Sequence, residues 1–73
     1  MELIEHATKE RLSREAAAER LRQLADQLSR HNEVSFSRDG LRYKVEVPNE
    51  VELTLEVEVG SEGESEIEVE IKW

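Results

Sequence analysis

A chain of 73 residues with no cysteine and two histidines forms one small domain without disulfides or the commonest structural zinc sites, so packing alone must supply its roughly 3 to 5 kcal/mol of net stability. The formal net charge of -8 is uneven: residues 1–44 hold 9 Lys/Arg against 8 Asp/Glu, whereas residues 45–73 hold 1 against 10. Such a surface repels a nucleic-acid backbone or an anionic membrane. No apolar run nears the roughly 20 residues of a membrane span, and residues 1–12 lack a signal-peptide core, so the expectation is a cytoplasmic protein.

The first predicted element is a strand over Leu3–Lys9, loosely patterned and at or near a sheet edge. Ser13 then precedes a run of good helix formers that lasts to Arg30 without glycine or proline, which predicts a helix from about Arg14. Ser13 is placed to cap an orphan N–H, and Leu12 to pack on Ala17 as a staple. Ala17, Leu21, Leu24 and Leu28 fall on one helical stripe with Ala25 beside them, while Glu15, Glu19, Arg22, Gln23, Asp26 and Arg30 occupy the other side. Asn32 supplies a left-handed stop.

Val34 and Phe36 alternate with serines, Asp39-Gly40 makes a turn, and Leu41, Tyr43, Val45 and Val47 alternate with charged residues, which predicts a β-hairpin. Pro48-Asn49 ends it. A second hairpin follows: Val51, Leu53, Leu55, Val57 and Val59 run into the loop Gly60-Ser61-Glu62-Gly63, and Ile67, Val69, Ile71 and Trp73 return. Period two gives each strand one apolar and one charged face. The predicted fold class is thus α+β, ordered β-α-β-β-β-β, with one amphipathic helix packed on one face of a mostly antiparallel sheet. The first strand has two placements, parallel to the next through a helical crossover or elsewhere in the sheet.

Ser13-Arg14-Glu15-Ala16-Ala17 opening a helix that continues through Leu21-Arg22-Gln23-Leu24-Ala25-Asp26-Gln27-Leu28, then paired Glu/Val strands closing on Trp73, resembles the amphi-Trp domain family. These are small bacterial and archaeal proteins named for amphipathic segments and a near-terminal tryptophan, and the resemblance covers Leu3 to Trp73. It implies a few residues after the tryptophan, which is the final residue here. It implies no activity, cofactor or catalytic residue.

The candidate protein-binding residues are Glu52, Glu56, Glu58, Glu66, Glu68, Glu70 and Trp73. The glutamates place like charges about 5 Å apart across two strands, which is destabilising and calls for an explanation. A solvated face that deters edge pairing, adaptation to high salt, a surface for a basic protein or one imitating a nucleic-acid backbone, and divalent cation binding all answer it. Trp73 shares parity with Ile67, Val69 and Ile71, so its expected place is the core at the sheet's end against the helix, the alternative being an exposed anchor for a partner or a second copy. Phe36 and Tyr43 have core parity, and Arg38, Arg42 and Lys44 are expected to offset the acidic strands by cross-strand pairing, the alternative being a small cationic patch.

Nothing points to an enzyme. His6 and His31 sit on different elements, Ser35 and Ser37 have no base at a readable spacing, and Gly60 and Gly63 join strands instead of leading into a helix as a phosphate loop must. The expectation is a non-enzymatic interaction or structural module without cofactor or metal, meeting a basic protein through its acidic face or self-associating, with no direct nucleic-acid or membrane contact. The alternative is an ion-handling or salt-adaptation protein acting through the same face.

Overall fold

The computed structural model describes residues 4–73. Its elements are α1 (Arg14–Arg30), β1 (Glu33–Arg38), β2 (Leu41–Glu46), β3 (Glu52–Val59) and β4 (Ser65–Lys72). The class is α+β, as the alternation of apolar residues requires, with the order α-β-β-β-β.

The strand expected at the start does not form. Leu3 lies outside the described residues, and Ile4–Lys9 take no regular structure. Apolar residues that do not alternate define no register with one buried face, so a ladder has nothing to fix it. Side chains fasten the segment instead. The His6 ring stacks on Phe36 with centroids 4.6 Å apart, Arg38 donates to the Glu5 carbonyl at 2.8 Å, and Arg20 grips both carboxylate oxygens of Glu10 at 2.8 and 3.1 Å.

α1 starts where its cap dictates, with the Ser13 hydroxyl accepting the Ala16 N–H at 3.1 Å. At the other end His31 is extended (φ -131, ψ 141), its N–H donating to the Gln27 carbonyl. Asn32 is not the left-handed stop expected of it, since among the described non-glycine residues only Asp39 has positive φ. β1 begins at the very next residue, so the chain must already be extended when it leaves the helix. α1 lies against β1, and the Gln27 side-chain oxygen accepts the Ser35 N–H at 3.3 Å.

In the first hairpin Val34 pairs with Val45 and Phe36 with Tyr43. The two rings stack with centroids 5.3 Å apart. Asp39 and Gly40, with φ of 52 and 77, form the two-residue turn whose twist suits the strands. Beyond the ladder the Val47 N–H donates to the Asn32 carbonyl at 2.7 Å. Val47 is the one buried hydrophobic side chain among the described residues, at 9% exposure.

The expected single sheet is split into two antiparallel pairs, β1-β2 and β3-β4. Size explains the division. A helix about 10 Å across spans two strands about 4.8 Å apart, not four. Among the described residues, β3 and β4 approach each other but no other element closely. The radius of gyration is accordingly 14.5 Å, against about 11 Å for a close-packed domain of this length.

Candidate functional site

The second hairpin sorts its side chains strictly. On one face Leu53 pairs with Ile71, Leu55 with Val69 and Val57 with Ile67; on the other Glu52 pairs with Lys72, Thr54 with Glu70, Glu56 with Glu68 and Glu58 with Glu66. Alternation over eight residues on each strand produces this from the sequence alone.

The six candidate glutamates therefore share one face, but they are not equivalent. Two pairs oppose like charges directly, Glu56 with Glu68 and Glu58 with Glu66, while Glu52 faces a lysine and Glu70 a threonine. Lys72 reaches Glu70 at 3.8 Å. Arg38, Arg42 and Lys44 give no relief, contrary to expectation. Arg38 turns to Asp39 and Glu5, Arg42 to the Ser35 hydroxyl, and Lys44 to Glu33 at 3.7 Å. With the sheet divided, the basic residues of the first hairpin have no acidic strand beside them.

Glu68 registers the crowding. A hydrogen bond with Glu66 raises its pKa above the ordinary glutamate range, and the charges of Glu66, Glu56 and Glu58 add to this. A carboxyl whose native pKa exceeds its unfolded value favours the fold fully below the unfolded value and loses that contribution as pH rises through the native one. Acidification from neutral pH should thus stabilise the hairpin through this group. Replacing Glu68 with glutamine is expected to raise the melting temperature at pH 7 and flatten its rise toward pH 5. Superimposable pH profiles for the two proteins would count against the assignment.

Trp73 is 60% exposed, which corrects its expected place in the core. It lines a groove of about 370 Å³ with Val69 and Ile71 of β4, Leu21, Leu24 and Leu28 of α1, and Val34, Phe36 and Val45 of the first hairpin. The helix stripe and the strands' apolar faces meet here as expected, yet the groove is open. One helix seated beside β1 reaches only the base of the second hairpin, at Val69, Ile71 and Trp73.

The largest departure lies further along that hairpin. Val57 is 71% exposed and Val59 and Ile67 are each 75% exposed, with Leu53, Leu55 and Val69 also on the surface. Their parity alone predicts core positions. The width of four strands against one helix is the sequence-level signal that separates them from the core. Among the described residues no group of three or more His, Asp or Glu side chains is arranged to hold a metal. No described helix is long and apolar enough to cross a membrane.

Comparison with curated proteins and with solved structures finds no match to this chain. One family model, that of the Amphi-Trp domain, matches residues 1–73. The chain belongs to the Amphi-Trp domain family.

Proposed function

We propose that this chain is a non-enzymatic protein-interaction module whose contact surface is the apolar face of the second hairpin, Trp73 included. The observation that carries this reading is the row of exposed Leu55, Val57, Val59 and Ile67 on a hairpin that no other element covers. Contiguous apolar surface of this kind, bordered by charge, marks interaction sites. The glutamates lie on the opposite face and remain in solvent when the apolar face is engaged. A photo-crosslinking amino acid at Val57 is expected to give discrete protein adducts in cells, and the same group at Glu56, on the other face, none. Adducts from both positions alike, or from neither, would sink the reading.

The acidic face supports a second reading, adaptation to high salt through bulk electrostatics. Its specific support is the opposed glutamate pairs left without basic partners, a repulsion that salt screens. Under this reading the melting temperature climbs steeply with potassium chloride in the natural sequence and much less after Glu66, Glu68 and Glu70 are changed to glutamine. If that triple change instead abolishes capture of a basic protein, the acidic face is itself the contact surface.

A further inference from the structure

We infer that the occupant of the apolar face is a second copy of this chain, related by a two-fold axis that lays the tip of each second hairpin over the base of the other. The inference rests on the reading of that face as a contact surface and names its partner.

Area is the first argument. A folded monomer of 8.5 kDa exposes about 4,700 Å². This chain exposes 7154 Å², an excess of about 2,500 Å². Obligate homodimers bury about 2,000 to 5,000 Å² in total, so two chains that each lose half of the excess already reach that range.

Stability is the second argument. An isolated two-stranded hairpin is marginal in water, and beyond its base at Val69 and Ile71 the β3-β4 pair has no second layer among the described residues of its own chain. A chain with one buried hydrophobic side chain among its described residues depends on something that is present whenever it is made. Another copy meets that condition at the chain's own concentration. A homodimer interface of this kind resembles a domain core cut in half.

Charge is the third argument and selects self-association over a basic partner. A two-fold interface sets a patch against itself, so a net charge within it would repel its own image. The chain carries -8, yet Leu53, Leu55, Val57, Ile67, Val69 and Ile71 form three cross-strand pairs on one face without an ionisable group. The opposed glutamates point the other way and keep two such dimers from stacking.

Geometry then fixes the direction. Two sheets packed face to face lie about 10 Å apart, and in the antiparallel sense the most exposed residues, Val59 and Ile67 at the tip, arrive over Ile71 and Trp73 at the base. The open groove beside Leu21 and Leu24 lies there. Each copy's tip thus enters the other's groove, which completes the cover that one helix cannot give.

Sedimentation equilibrium and thermal melts of the whole chain over a range of concentrations test this, beside Val57→Glu. Val57 is 71% exposed in the single chain, so a carboxylate there disturbs only what covers it. The expected results are a mass twice the 8.5 kDa chain, a melting temperature that rises with concentration, and association at least about 100-fold weaker in the variant. A variant that is unfolded while the natural chain melts in this concentration-dependent way supports the pair as well. A mass of one chain throughout, a mass above two, or a variant that associates like the natural sequence overturns it. If the single chain is found and binds a hydrophobic dye strongly, only the second copy is lost and the face still serves another protein. If it binds no dye, the contact-surface reading falls too.

Discussion

Changing Phe36 to alanine is expected to remove most of the chain's net stability. The ring is stacked between His6 at 4.6 Å and Tyr43 at 5.3 Å, and it lines the groove with the leucines of α1. It therefore joins three parts of the chain: the N-terminal segment, the helix and the first hairpin. Truncating a fully buried phenylalanine costs about 3 to 5 kcal/mol. Phe36 is half-buried, which brings the expected cost to about 2 to 3 kcal/mol, ring stacking included. Against a net stability of roughly 3 to 5 kcal/mol that is most of what the domain has. Phe36→Leu, which keeps apolar volume and loses the stacking, is expected to cost about 1 kcal/mol. Urea denaturation of the three proteins measures the differences, and an alanine variant as stable as the natural chain would show that Phe36 joins nothing.

The second large effect is expected at Gly60. Its N–H donates to the Glu64 carbonyl at 2.6 Å and closes the loop between β3 and β4. A Cβ on residue 60 would stand 2.9 Å from that same carbonyl oxygen and closer still to the Glu64 side chain. The side chain can swing aside, but the backbone oxygen moves only by opening the bond that closes the turn. Gly60→Val is expected to cost about 2 kcal/mol, and the loss should be local. Hydrogen exchange should quicken at the amides of β3 and β4 while those of β1 and β2 stay protected, since the two sheets share no ladder. Gly40 offers the contrast: nothing lies within 4 Å of a Cβ there, and the objection is its φ of 77, worth about 1 kcal/mol for alanine. If Gly60→Val slows or leaves unchanged exchange in the second hairpin, the loop is not what orders it.

Local structure was legible in this sequence wherever one residue type has one physical task. Ser13 marked the helix start, Asp39-Gly40 the first turn, Pro48-Asn49 the break, and strict alternation from Val51 onward fixed both the pairing and the two faces of the second hairpin. The errors lie where the outcome depends on competition between distant parts. Ile4 and His6 carry no period, so nothing in the local pattern foretells that an imidazole stacked on Phe36 would take the place of a ladder. Asn32 favours a left-handed turn, but the need to enter β1 immediately overrides it. The candidate glutamates were grouped correctly on one face, although register, not composition, decides that Glu56, Glu58, Glu66 and Glu68 face like charges while Glu52 and Glu70 do not. Trp73 and the valines of the second hairpin have core parity, and parity says which residues share a face without saying what covers it.

Among the described residues every ladder joins elements adjacent along the chain. The loops that close them are short, two residues at Asp39-Gly40 and five from Gly60 to Glu64. Such a topology has a low contact order and needs no long search: helix and hairpins form in microseconds, and their docking follows within milliseconds. Synthesis, at about 5 to 20 residues per second, is far slower. The helix and the aromatic hairpin precede the acidic hairpin along the chain and have time to form first, so the apolar face of the acidic hairpin emerges beside partners that are already folded.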